Sequence, residues 1–485
     1  MMPIDLSAGK PIPTHSSYAD DSIARQFWRR SFRVGRDYIT GDDEHGNPVI
    51  IKHEVEQQKA YDRRLQSTQA RNYAGPIIRQ YNNFVHRKSA DYPDGSESMP
   101  VYGLLLEDIN GKGVSANEFM RRALLVAQVD REIYLLADTT ADPGTDRTLA
   151  QAMEGRVRPI VRSINADQVL WWRYEDGELI EAIYLFTRRG QHFARYVNDE
   201  IIIEMMVRSE QHGTPTILGV EDPIPNPYGM MPLVPLRPQF DDFGDGQGES
   251  QIAPLAYAQK KIANLLSLEA EELTANTYTQ WVLATDANTA QPTSDGSKSP
   301  STNKITFGAK RLITVPAGST VSRIGSDVAQ ADSIRAAIAN EERALYRIAG
   351  VSSGDPLAGP GAVESGVAKA FRFNDLAANL SALADAEQYA FNRVMQVIHT
   401  GQGIPYPGDA NFPDDFSMPD FIAELRETID VISRPAMPSV IRQETVKRMA
   451  QRLFELTDEQ LAELSLESAT IGRPTPFSFV SNEAS

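Results

Sequence analysis

Cysteine is absent from this 485-residue chain. Without thiols, the protein can form no disulfide framework, no thiolate metal site and no cysteine nucleophile. Long apolar runs are missing too, since none approaches the ~18 residues that a membrane span needs. The amino-terminal sequence lacks the basic-then-apolar pattern of a secretion signal. We therefore expect a soluble protein that is made inside the cell and has no membrane partner.

Motifs that bind nucleotides or metals are also missing. No G-x-x-x-x-G-K-S/T phosphate loop occurs, which argues against a P-loop ATPase, and the seven histidines show no H-E-x-x-H pattern. The acidic stretch 241–249 resembles a calcium loop only superficially, because Phe243 holds its third position and Ile252 the twelfth, where glutamate is required. The sequence therefore predicts a surface loop there, and neither a cofactor nor a metal.

One catalytic pattern does occur, at Gly350-Val-Ser352-Ser-Gly354, which matches the G-x-S-x-G nucleophile elbow. That chemistry requires a strand before the serine and a helix immediately after it. Here the periodicity predicts a helix before the serine, and a loop rich in glycine and proline follows. A loop without catalytic function is the favoured interpretation, so we expect no enzyme. A serine hydrolase that uses Ser352 is kept as a remote alternative.

The balance of charge is acidic, with 48 basic against 65 acidic residues and a formal net charge of −17. This argues against tight charge-driven DNA binding by the chain as a whole. A local basic helix face is an exception, and it either pairs with acidic neighbours or contacts nucleic acid or an acidic partner. Its residues are Arg29, Arg30, Arg33 and Arg36.

Aromatic residues cluster in one predicted strand. Trp171, Trp172 and Tyr174 lie close together there, and core packing and a base-stacking platform are both open interpretations.

Residues 250–400 organise the rest of the chain. Apolar spacing predicts amphipathic helices over 251–281, after a possible N-cap at Ser250, and over 328–348, which Gly350 ends. Short strands are predicted between them, at 305–307 and 312–315. A long helix over 364–399 would span about 50 Å. A helix pair with a strand-bearing tip predicts a spike that projects from a body.

Around this region the periodicity predicts a mixed domain of helices followed by an antiparallel sheet. An extended arm over 1–20 precedes it and a proline-rich connector over 223–238 follows. The predicted helices are 20–38, 54–88 with a break at Gly75-Pro76, and a capping-box helix from Ser115 to Gln128. The predicted strands are 133–137, 157–164, 168–174, 179–187, 192–197, 200–207 and 216–220, with a hairpin turn at Asp176-Gly177. Short helices are predicted at 419–433, 439–453 and 458–468.

Four stretches resemble the portal proteins of tailed, siphovirus-like bacteriophages. The first, Pro227-Tyr-Gly229 through Pro235, is similar to the Tyr-Gly-x-x-Pro connector before the family's first stem helix. The second is the helix–tip–helix order from Ser250 to Ile348. The third, Ser365-Gly-Val-Ala-Lys369, is similar to the opening of the long wing helix, and the fourth, Asn165 to Arg173, to a segment of the wing. It is the order and spacing of these stretches that carry the resemblance.

The resemblance implies an α+β, multidomain portal-like fold. Its parts would be an N-terminal arm and short helix (1–50), a wing of helices, antiparallel sheet and connector (51–240), stem helix 1 (250–282), a small α/β clip (283–326), stem helix 2 (327–350), a channel loop (351–364), a long wing helix (365–400), crown-like helices (401–470) and a tail (471–485).

The implied function is a homo-oligomeric ring, usually of twelve subunits, at one capsid vertex. Double-stranded DNA would pass through it non-specifically during packaging and ejection. A terminase large subunit and a head-completion or adaptor protein would dock on it, and major capsid and scaffold proteins would surround it. The protein would be made in the bacterial cytoplasm and reside in the virion.

Three groups of residues follow from this resemblance. The channel loop would face DNA through Ser352, Ser353, Asp355, Leu357, Val363 and Glu364. Docking on the clip would use Lys304, Lys310 and Arg311. Neighbouring copies would cover the stem stripes, at Ile252, Leu255, Ile262, Leu265, Ile334, Ile338 and Leu345. An acidic oligomeric scaffold without DNA passage is the alternative that needs no resemblance.

Overall fold

A computed structural model describes residues 5–140, 158–208, 214–239, 247–277, 280–283, 313–314, 321–324, 328–350, 366–413 and 416. All of these residues lie in one compact unit that spans 1–416. The predicted strand at 305–307 and the predicted C-terminal helices lie outside the described residues.

Helices and antiparallel strands both occur, so the protein is α+β as predicted. The helices of the described part are α1 (Tyr18–Arg33), α2 (Arg36–Ile39), α3 (Gln58–Ser67), α4 (Ala74–Val85), α5 (Pro100–Glu107), α6 (Ala116–Asp130), α7 (Ala253–Thr277), α8 (Val328–Ile348) and α9 (Gly366–Gln402). The strands there are β1 (Ile133–Thr139), β2 (Pro159–Asn165), β3 (Val169–Glu175), β4 (Glu178–Arg188), β5 (Gln191–Asn198), β6 (Ile201–Arg208), β7 (Thr216–Val220), β8 (Ile224–Pro225), β9 (Leu233–Leu236), β10 (Gln280–Leu283), β11 (Ile313–Thr314) and β12 (Val321–Ile324).

The largest sheet is an antiparallel meander in the order β3-β4-β5-β6-β7, with β8 paired to β6. Its strands agree with the predicted ones because apolar and polar residues alternate along them. The predicted turn between β3 and β4 is confirmed by the left-handed backbone of Asp176 (φ 49°) and Gly177 (φ 80°). Residues 9–12 pair with the outer edge of β7, and Ile12 is buried there. The N-terminal segment therefore continues the sheet.

A second sheet, in the order β2-β1-β9, lies between the meander and the helices. Strand β9 falls inside the segment that the sequence analysis treated as an extended connector, and it pairs antiparallel with β1. All four β9 residues are buried. The prolines obscured this strand, because proline cannot donate a ladder hydrogen bond and is unusual inside a sheet.

The main core is helical and is built from α1, α4, α5, α6, α7, α8 and α9 against β1 and β9. Helix α9 contributes many of its buried side chains, including Leu383, Phe391 and Val394. None of the helices in the described ranges has the length and apolarity to cross a membrane.

Several predicted boundaries were wrong. The chain breaks between α3 and α4 at residues 68–73, and not at Gly75-Pro76, because Pro76 occupies the first turn of α4, where no backbone N–H is needed. Helix α7 ends at Thr277, and Trp281 lies in β10. Ser250 does not cap α7 through its side chain, because its hydroxyl donates to the carbonyl of Val129 at 2.8 Å.

The candidate functional site around the helical hairpin

Helices α7 and α8 form an antiparallel hairpin. Lys261 pairs with Glu341 at 2.6 Å and Glu269 with Arg335 at 2.9 Å. Residue numbers rise along α7 while those of the partners on α8 fall, so the two helices are antiparallel. Lys261 and Arg335 are exposed, and such pairs contribute at most about 1 kcal/mol each. They therefore set the register of the two helices more than they stabilise the fold.

Strands β10, β11 and β12 form a three-stranded sheet between α7 and α8 in the chain. β10 pairs parallel to β11 and antiparallel to β12. The order helix, small sheet, helix agrees with the predicted pair of helices and the strands predicted between them. The position of β10 was missed because the apolar residues of 280–283 continue the pattern of the preceding helix.

The first half of α7 is embedded in the body of the protein through polar side chains. Gln259 accepts hydrogen bonds from the N–H groups of Tyr73 (2.9 Å) and Ala74 (3.0 Å) and donates to the carbonyl of Ser31 (2.9 Å). Asn264 accepts from the N–H of Ile51 at 2.8 Å. Because these groups anchor the helix to N-terminal segments, α7 is buried on several sides.

Two basic residues, Lys260 of α7 and Arg64 of α3, add charged contacts along α7. The Lys260 ammonium lies 2.7 Å from the Asp43 carboxylate. Burial would raise the pKa of Asp43, but this ammonium and nearby backbone N–H groups lower it overall. Arg64 pairs with Glu56 at 2.7 Å and donates to the Ser267 hydroxyl at 2.9 Å. Loop 41–56 is thereby fastened to the helix.

The stem stripes are buried within a single chain, which corrects the expectation that neighbouring copies cover them. Segments between residues 31 and 74, which the sequence analysis predicted as helices and a loop, supply the cover for α7, and α7 and α8 cover each other. The exposed fractions are 0% for Ile252, 2% for Leu255, 1% for Ile262, 6% for Ile338 and 0% for Leu345. Leu265 and Ile334 are partly buried against the same core.

Two large apolar side chains of the hairpin are nevertheless exposed. Leu273 on α7 is 42% exposed and Ile348, the last residue of α8, is 53% exposed. Among the described residues of the hairpin, a further contact at these two positions could still bury apolar surface.

The connector motif is a turn that holds the end of α9. Asn226 accepts from the N–H of Tyr228 at 3.0 Å and donates to the carbonyls of Asn198 and Met230. Gly229 adopts a left-handed conformation (φ 60°). The Tyr228 ring packs so closely on Gly401 that an added Cβ there would lie 2.3 Å from the ring. The motif therefore joins the meander to α9.

The stretch from Asn165 to Arg173 also has a structural role. Asp167 accepts from Arg25 at 2.7 Å and pairs with Arg29, which also contacts Asp130 at 2.6 Å. Of the two interpretations of the basic helix face, pairing with acidic neighbours is therefore confirmed for Arg29. Arg30 donates to a backbone carbonyl, that of Asp42, and Arg36 to that of Leu65.

The aromatic cluster of β3 belongs to the core. Trp172 is buried on one face of the meander and stacks on His15 at 4.2 Å between ring centroids. Trp171 packs into the cluster on the opposite face. A base-stacking platform would need these rings to be exposed together.

The remaining predicted site residues lie outside the described part of the chain. These are the channel-loop residues Ser352, Ser353, Asp355, Leu357, Val363 and Glu364 and the clip residues Lys304, Lys310 and Arg311. Helix α8 and a turn precede Ser352, so the strand that a nucleophile elbow requires is replaced by a helix. Among the described residues, no group of acidic residues and histidines could hold a metal ion.

A buried ion pair was missed by the sequence analysis. His86 Nε2 lies 2.9 Å from Glu387 Oε1, and the pair joins the end of α4 to α9. The side chains are 5% and 0% exposed. No sequence signal could have found it, because the two residues are 301 positions apart.

Comparisons with known proteins gave structural similarities alone. No protein-family model matches the chain, and no curated protein sequence matches it. Similar chains occur in solved structures of the virion of a native gene transfer agent particle (12% identity, TM-score 0.43, 93% of this chain and 96% of that one). Others occur in the neck of the native particle computed with C12 symmetry (12%, 0.42, 90% and 95%) and the neck of the empty particle computed with C6 symmetry (15%, 0.41, 76% and 88%). With TM-scores below 0.5, these similarities carry no argument about function.

Proposed function

We propose that this chain is a portal-like head–tail connector, a ring through which double-stranded DNA enters and leaves a capsid. A terminase large subunit and a head-completion or adaptor protein would dock on its tip, and major capsid and scaffold proteins would surround it. The protein would work as a conduit and docking platform, and ATP hydrolysis would belong to the separate motor.

One observation carries the proposal, namely the order of elements from 253 to 402. Two helices pack antiparallel, a three-stranded sheet lies between them in the chain, and a helix of 37 residues follows after residues 351–365. This order is what the resemblance requires for stem, clip, stem, channel loop and wing helix. The connector and wing motifs lie before it in the expected sequence.

Burial of the stem stripes changes how the ring would assemble. Since each chain buries these stripes by itself, apolar surface that only neighbouring copies could cover no longer supports a ring. The subunits would instead associate as preformed units through surface contacts, and Leu273 and Ile348 are large exposed apolar side chains in the described part of the hairpin.

Net charge supports the conduit. A ring of twelve chains of charge −17 would carry roughly −200 charges. Residues 352–364 include Asp355 and Glu364 but no lysine or arginine. A wall of like charge lets DNA slide, whereas a basic wall would release counterions and hold it.

Negative-stain imaging of the purified full-length chain tests the proposal, together with the mass of the particle in solution. We expect rings with an axial hole. Closed oligomers without a hole would favour the acidic scaffold, and a compact monomer at all concentrations would overturn the ring.

A further inference from the structure

A cationic stripe runs along the exposed side of α4 and the turn that follows it. The sequence between Asp62 and Asp91 contains no acidic residue, although the chain carries a net charge of −17. Arg79, Asn83 and Arg87 follow one another at four-residue spacing and are exposed, and Lys88 is exposed beside them. Arg79 and Asn83 lie on α4, and Arg87 and Lys88 lie in the turn that follows its last residue, Val85.

Two neighbouring helices extend this stripe. Arg121 on α6 donates to the Asn83 side chain at 2.7 Å. On the other side, the Arg79 guanidinium lies 4.4 Å from the ring centroid of Phe32, the residue before the exposed Arg33 of α1. We define the cationic stripe as Arg33, Arg79, Arg87, Lys88 and Arg121.

Most of these charges have no acidic partner among the residues that the structure describes. Within the described ranges, Arg33, Arg79, Arg87 and Lys88 form no ion pair. Arg121 lies 3.8 Å from Glu118, whose carboxylate is engaged more closely by Arg122 at 2.7 Å. Like charges held together without partners repel one another, so an anionic ligand would relieve an unfavourable term.

The stripe has the composition of a phosphate-binding surface. Arginine donors suit phosphate oxygens, and the Gln80 and Asn83 amides between them can add neutral hydrogen bonds. None of the exposed large apolar side chains of the described residues lies on α4 or α6. Protein interfaces are usually anchored by such apolar or aromatic residues, so a nucleic-acid backbone fits the stripe better than a protein partner.

We propose that the cationic stripe binds the phosphate backbone of double-stranded DNA without sequence preference. This surface is separate in sequence from residues 352–364, so the proposal assigns a second DNA contact beyond the conduit. DNA carries one charge per about 1.7 Å of axis, so several phosphates would be within reach of these five cations.

A salt titration of binding to a labelled random-sequence duplex tests the proposal. The triple variant R79E/R87E/K88E in the full-length chain should bind about tenfold or more weakly, and the slope of log K against log salt should become less negative by about 2 to 3. The milder variant R79Q/R87Q/K88Q should show the same direction, which guards against a folding defect.

The matched control is K59E/R63E/R189E, which reverses three exposed cations on α3 and in the turn between β4 and β5. It should bind DNA within about twofold of the unmodified chain after the same change in net charge. Equal weakening in both triple variants, or no DNA binding by the unmodified chain, would overturn the proposal. A change in particle mass without a change in DNA affinity would identify the stripe as a protein contact instead. Ring formation by the variants is imaged separately, so a failure of the stripe to bind DNA does not count against the proposed ring.

Discussion

At the scale of single residues, the His86–Glu387 pair is the clearest electrostatic feature. His86 Nδ1 faces the carbonyl of Asn82 at 2.9 Å, and Nε2 faces the Glu387 carboxylate. Both ring nitrogens therefore meet acceptors, an arrangement that favours the imidazolium. Burial would lower the pKa of His86, but the carboxylate outweighs it and the pKa is raised.

Replacing His86 by leucine should destabilise the protein by about 3 kcal/mol at pH 6, because Glu387 would lose its buried partner. The folded-state pKa of His86 lies above the unfolded value of about 6.5. Its stabilisation is therefore present below that value and is lost as pH rises through the folded-state pKa. The difference between H86L and the unmodified chain should shrink by pH 9, as measured by denaturant unfolding.

The matched control for this prediction is H53L, which removes an exposed histidine from a loop. It should change stability by less than about 0.5 kcal/mol at either pH. A penalty for H86L that stays constant from pH 6 to pH 9 would show that the imidazole packs as a neutral group.

At the scale of elements, α8 offers a direct test of which apolar surface serves the chain and which serves a neighbour. Leu345→Ala should cost about 2–5 kcal/mol of stability without changing particle mass, because Leu345 is fully buried in its own chain. Ile348→Ser should change chain stability by less than about 0.5 kcal/mol, because Ile348 is 53% exposed.

Denaturant unfolding and particle mass should be measured for both α8 variants. If Ile348 contacts a neighbouring copy, I348S should shift the assembly towards smaller species. Dissociation of the particle by L345A with unchanged chain stability would restore the original view that the stripe lies between subunits.

At the scale of the whole molecule, the proposed conduit depends on the segment after α8. Deleting residues 353–360 should leave ring assembly intact but impair packaging or retention of DNA, because the loop would face the DNA. Electron microscopy would check the rings, and the DNA content of assembled particles would check function. Normal genome filling by the deletion variant would rule out a channel role for the loop.

The sequence by itself determined much of the local structure. The bounds of α8 and the strands of the meander were predicted to within a residue or two, because period 3.6 and period 2 patterns are local signals. Strand β9 was not predicted because of its proline, and β10 was not predicted because its apolar residues continue the pattern of the preceding helix. The glycine turn between β3 and β4 was also predicted from the sequence. So was the order of elements, on which the proposed function depends.

Only the tertiary structure decided what each surface touches. The apolar stripe of α7 looked unpartnered, yet segments far away in the sequence bury it. Hydrogen bonds of Gln259 and Asn264 hold those segments against the helix. Arg29 looked available for an anionic partner, yet Asp130 and Asp167 hold it. Periodicity shows that a face will be buried but not by which element, because packing partners lie at sequence separations that no local pattern encodes.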